Sequence, residues 1–252
     1  MKQIVIMPGG FHPFHAGHYS LYNSALEAFP QADVYVAATN DTKTRPFPFA
    51  IKEKLAKLAG VKPGRFVQVK SPFKAEEITS QYDPNEDVLI FVRSEKDKTE
   101  QPKPGGTKKD GSPSYFQPWT GKDLQPFSKH AYIAYLPTVE FGPGIKSATE
   151  IRNAWPNLND RQKTAMVMSL YPATQQNKEL AQNVVKMLDI GMSGEITEGD
   201  VVKGPWKKHD EEDWDDSWIP SEDDFDQEEK HRSRRFKPAN DISESIDYLD
   251  EK

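Results

Sequence analysis

Short apolar runs alternate with amphipathic stretches through the first 155 residues of this 252-residue chain, and that alternation constrains the fold most. Residues 3–7 read as a buried first strand, followed over 15–29 by a helix with Leu21, Ala25, Leu26 and Phe29 at helical spacing. Further strands are expected at 33–39, 66–69, 87–93 and 132–136, the run at 87–93 being the most apolar and therefore central. Helices are expected at 50–59, ended by Gly60, and briefly near 75–81. Strands separated by helices connect by right-handed crossovers, which predicts an α/β chain with a doubly wound parallel sheet of about five strands. Such sheets bind ligands beyond the carboxyl ends of their strands.

The segment from Gly9 to His18 lies in that position, just past the first strand. It carries Gly9, Gly10, Phe11, His12, Pro13, Phe14, His15, Gly17 and His18. Helix positions i and i+3 share a face, so His15 and His18 can point at one spot. Backbone amides of a first helical turn have no partner within the helix, and the combination suits a phosphate group.

Hydrophobic residues make up 36% of the chain, low for one that packs throughout. Residues 209–229 hold twelve Asp or Glu and no Lys or Arg. Without them the chain has 33 basic residues against 27 acidic ones, so the acidity belongs to a tail and the body is mildly basic. A basic body suits an anionic substrate. There are no cysteines, which excludes disulfides, zinc-thiolate sites and thiol catalysis. No run approaches the ~20 apolar residues of a membrane span. Met1 and Lys2 lead into the first strand without a signal-peptide core, and a soluble cytoplasmic protein is expected.

Three parts are expected: an α/β domain over 1–154, a small helical appendage over 155–191 and a largely disordered acidic tail over 192–252. The appendage reads as two helices, 158–171 and 177–188, packed on the sheet or on another subunit, which leaves a homo-oligomer open. Trp206, Trp214, Trp218 and Phe225 are scattered through or beside the acidic run, so the tail either merely solvates the chain or meets an unknown partner. Residues 94–130, rich in Gly, Pro and Lys, form a long loop that is either a substrate lid or a disordered insertion.

Phe11-x-Pro13-x-His15-x-Gly17-His18 resembles the signature of the cytidylyltransferase-like nucleotidyltransferases, the HxGH motif. That superfamily includes nicotinamide-mononucleotide and pantetheine-phosphate adenylyltransferases and glycerol-phosphate cytidylyltransferases. Residues 145–152 look like the family's second signature, with Ser147, Thr149 and Arg152 at the start of a helix. Ser147 and Glu150 also have capping-box spacing, which accounts for those two without any function but does not call for Arg152. Residues 39–49 are similar to the family's lysine-bearing loop, and 93–97 to its nucleotide-contacting loop.

The resemblance implies a Rossmann-like domain over residues 1–154 that transfers a nucleoside monophosphate from CTP or ATP to a phosphorylated small molecule, releasing pyrophosphate. His15, His18, Lys43 and Arg152 would be catalytic; Gly9, Gly10, Phe11, Gly17, Arg93, Ser147 and Thr149 would bind the nucleotide. Mg²⁺ is expected, held mainly by the triphosphate rather than by a carboxylate cage. Neither nucleic acid nor membrane is expected as a partner. His12 departs from the acid or amide common in the family, and a structural role for it is expected.

Other readings compete. His12, His15 and His18 could form a zinc site, although no acidic partner lies in the same segment. The motif is also similar to an element of class I aminoacyl-tRNA synthetases, but this chain has no Lys-Met-Ser-Lys-Ser and no length for an anticodon-binding module. A non-catalytic nucleotide-binding or interaction protein of the same fold is the alternative from a different class. CTP and ATP both stay open, as does the acceptor.

Overall fold

Alternate residues of the strands bury opposite faces, and the computed structural model, describing residues 1–40, 47–137 and 147–193, shows two apolar layers on either side of one sheet. The strands are β1 (Gln3–Gly9), β2 (Asp33–Ala38), β3 (Phe66–Gln68), β4 (Val88–Ser94), β5 (Phe116–Pro118) and β6 (Ala131–Leu136). All pairings are parallel, in the order β3-β2-β1-β4-β6-β5. Every residue of β4 is buried, as its apolar run requires.

The expected sheet of about five strands is therefore a sheet of six. The additional strand, β5, lies within the 94–130 segment, which is neither a bare lid nor a structureless insertion. A short 3₁₀ helix (Glu95–Thr99), a Thr107–Pro113 bridge and β5 give that segment form. Three residues ending in proline carry no strand periodicity, and proline is tolerated there because β5 is an edge.

The helices are α1 (Ala16–Ala28), α2 (Phe49–Ala59), α3 (Glu76–Thr79), α4 (Ala148–Ala154), α5 (Asp160–Leu170) and α6 (Lys178–Ser193). Crossovers of one hand that step outward from β1 to β2 to β3 place α1 and α2 on one face. The return from β3 to β4 reverses direction, so α3 falls on the other face, where Ala75 and Ile78 pack beneath Leu89 and Phe91. β1 and β4 are adjacent strands whose connections run opposite ways, a topological switch point. The loop from β1 to α1 sits there.

The helices after residue 147 share the layer of α1 and α2. Ile151, Trp155, Val167, Leu170, Tyr171, Val184 and Leu188 join one cluster with Val5, Leu21 and Leu55. Asp189 of α6 binds them together, accepting from Trp155 Nε1 at 2.8 Å and from Lys163 Nζ at 2.6 Å. Gly191 lies against Phe47, the buried residue that leads into α2. A Cβ on Gly191 would stand 2.0 Å from the Phe47 ring. Gly191→Ala should thus destabilise the chain by about 1–3 kcal/mol despite alanine's better helix propensity, because the overlap falls on a buried ring. Thermal melting measures the difference.

Candidate functional site

The loop from β1 to α1 is built around aromatic packing. The Phe11 ring folds back over Gly9, where a Cβ would lie 2.6 Å from it. Phe11 has φ of +52°, a conformation that few side chains adopt, and its ring is buried. It meets the His18 ring edge-on at 5.0 Å between centroids, while Phe14 lies 5.4 Å from His18 on another side. Phe66 of β3 closes the cluster, 5.8 Å from Phe11 and 5.6 Å from Phe14.

His15 is the N-cap of α1. Its Nδ1 accepts from the Gly17 amide at 3.1 Å, so the neutral ring carries its proton on Nε2. The His15 and His18 rings stack with centroids 3.8 Å apart. Burial, and then the neighbouring His18, hold His15 well below the ordinary imidazole value. Burial alone depresses His18 to about 3. His18 is half-buried over its surface, yet its Nδ1 is sealed from solvent and has no hydrogen-bond partner among the described residues. Both rings are thus neutral donors at pH 7, beside apolar walls that strengthen any bond they make.

Arg152 of α4 reaches this loop from 140 residues away, donating through one terminal nitrogen to the His12 carbonyl. Its other terminal nitrogen donates to Thr149 Oγ1 at 2.9 Å. Ser147 caps α4, accepting from the Glu150 amide at 3.2 Å. The two distant signatures therefore meet. Gly10 follows the end of β1, and Gly17 is buried in the first turn of α1.

Arg93 is not brought to the histidines. It emerges from β4 on the opposite face, 5.6 Å from the Phe73 ring, and binds the Glu100 and Pro102 carbonyls, each at 3.2 Å. It also pairs with the Glu100 carboxylate at 3.2 Å. Lys43 lies outside the described residues, as do Lys146 and the acidic tail.

Two residues of the site were missed in the sequence. Lys52 of α2 is 0% exposed; its Nζ donates to the Thr39 carbonyl at 2.7 Å and lies 3.1 Å from His12 Nε2. A signal existed, since Lys52 shares the apolar stripe of Leu55, Ala56 and Ala59, where a lysine is out of place. His12 is thereby joined to the end of β2, the structural kind of role expected of it. The second is Tyr171, whose hydroxyl donates to the Phe14 carbonyl at 2.7 Å, and no local pattern announces it.

The paired imidazoles thus stand at the first strand-to-helix turn of a parallel α/β sheet, at its switch point. Residues 6–104 match the model of the cytidylyltransferase-like family. Among solved structures, it is similar to a bifunctional NMN adenylyltransferase/ADP ribose pyrophosphatase from Francisella tularensis, at 16% identity and a TM-score of 0.41 over 73% of this chain and 53% of that one. The same enzyme complexed with AMP and Mn ion gives 15% identity and a TM-score of 0.39 over 73% and 52%. This chain thus spans about half the length of those enzymes. No curated protein matches it. Among the described residues no helix is long and apolar enough to cross a membrane.

The imidazoles predict a pH dependence. Unfolded, His18 protonates near 6.5; folded, it does so only at about 3. The unfolded chain therefore binds the proton first, and stability that is full above pH 6.5 is lost progressively as pH falls towards 3. Melting temperatures taken between pH 8 and pH 4 should fall below about 6.5, and His18→Asn should flatten part of that slope.

Proposed function

We propose that the chain is a nucleotidyltransferase that moves a nucleoside monophosphate from CTP or ATP to a phosphorylated small molecule. The observation that carries this reading is the guanidinium of Arg152 on the carbonyl of His12, in the loop that leads into two stacked, neutral imidazoles. An acceptor phosphate oxygen attacks the α-phosphorus, the bond to the bridging oxygen breaks, and pyrophosphate leaves with that electron pair. The nucleophile is already anionic, so neither a strong base nor a covalent intermediate is needed. Catalysis then consists of alignment and stabilisation of charge on five-coordinate phosphorus.

In this reading His15 donates from Nε2, and His18 donates to the α-phosphate as charge gathers there. Ser147, Thr149 and Arg152 hold the β- and γ-phosphates, Arg152 through its planar fork. Lys43 bridges triphosphate and acceptor, Gly9, Gly10 and Gly17 allow close approach, and Phe11 completes the nucleotide-binding loop beside them. Arg93 contributes by fixing the 94–102 loop through Glu100 and Pro102. Uncharged imidazoles, a guanidinium and hydroxyls are a donor set for phosphate oxygens, and the fit is to a metal that arrives on the triphosphate. Mg²⁺ would enter as part of that substrate and neutralise its charge. The Mn ion of the Francisella enzyme is in keeping with a divalent cation.

Pyrophosphate release from CTP or ATP, with Mg²⁺ and a panel of phosphomonoesters, tests the reading. His18→Ala and Arg152→Ala should each lower kcat about a hundredfold, the usual loss for one such donor. Nucleotide binding without release across the panel would instead establish the non-catalytic alternative.

A further inference from the structure

We propose that Tyr171 is a positioning residue for the histidine pair, fixing the plane of the peptide between Phe14 and His15; the inference rests on the nucleotidyltransferase reading. Tyr171 follows α5, far outside the segment that matches the family. It is 0% exposed, and its hydroxyl donates to the Phe14 carbonyl at 2.7 Å across 157 residues. A buried tyrosine hydroxyl needs a partner, and Phe14, itself 0% exposed, supplies it.

The bond acts on His15 through planarity. Cis peptides among the described residues precede only Pro13 and Pro102, so the Phe14–His15 peptide is trans. In a trans peptide the N–H points opposite to the C=O. With the carbonyl drawn onto Tyr171, the His15 N–H is directed away from it. His15 then begins α1 in an extended conformation, with φ of −149° and ψ of 174°, and its imidazole reaches the Gly17 amide.

The tyrosine is itself held rigidly. Its amide donates to the Val167 carbonyl at 2.9 Å, and its carbonyl accepts from Thr174 Oγ1 at 2.7 Å. Burial raises the hydroxyl far above the ordinary phenol value, so it remains a donor at any working pH. Arg152 on the His12 carbonyl is a second such tie, two residues earlier in the same loop. The C-terminal helices therefore hold the loop that bears the histidines as well as covering the core.

Tyr171→Phe removes the hydroxyl and keeps the ring. Asp189→Asn is the comparison, because it loosens the same helices at Trp155 and Lys163 without touching Phe14. Tyr171→Phe should lower kcat for pyrophosphate release about tenfold or more with KM for the triphosphate within about twofold, while Asp189→Asn lowers only the melting temperature. The His15 amide and ring resonances should move in Tyr171→Phe and stay in place in Asp189→Asn. Equal kcat in the two variants with unmoved His15 resonances would overturn the proposal. If the wild-type chain releases no pyrophosphate, the functional reading fails, and the His15 resonances alone decide whether Tyr171 positions the histidine. Should Tyr171→Phe not fold, wild-type spectra decide: an exchange-protected Tyr171 hydroxyl proton is expected, and its absence would refute the tie.

Discussion

Withdrawal of two imidazoles from water is the constraint on which the rest of the site depends. His15 and His18 stack on each other behind the rings of Phe11 and Phe14, and burial leaves them uncharged. Charged rings at 3.8 Å would repel, and each would lose its hydration on entering this cluster. As neutral donors they can share one small space. Gly9, the left-handed Phe11 and the buried Lys52 beside His12 are all conditions for that loop to take its shape.

The two faces of the sheet divide the work. α1, α2 and the helices after residue 147 crowd one face, and from there Lys52, Arg152 and Tyr171 tie the histidine loop. Among the described residues the other face carries the single turn of α3 together with aromatic residues that include Phe73, Tyr82, Tyr115, Phe116 and Phe127. Arg93 lies on that side, so a residue at the carboxyl end of the central strand holds a loop instead of facing the imidazoles. Parity along a strand separates Val92 from Arg93 by the full thickness of the sheet.

Much of this was legible in the sequence because it is local. The runs that became β1, β2, β4 and β6 declare themselves by apolar content, and the HxGH segment by its place after β1. The meeting of Arg152 with that loop followed from resemblance, since nothing in the spacing of residues 12 and 152 requires it. β5 escaped because Phe116-Gln117-Pro118 has neither length nor alternation, and its pairing with β6 supplies the order that its sequence lacks. Lys52 escaped because charged residues are read as surface, although its place on an apolar stripe argued otherwise. Tyr171 was unreadable: a single hydroxyl finding one carbonyl across 157 residues leaves no local trace.

The pairing of β4 with β6 bears on how much of the chain forms one foldable unit. The family match ends at residue 104, whereas β4, buried along its whole length, forms its outer ladder with residues 131–136. A fragment cut at the match would leave the most apolar strand as a bare edge, open to association with any other extended chain. It would also lose the core residues from Ile151 to Leu188. The segment that matches the family model is therefore smaller than the unit that shares one sheet and one core.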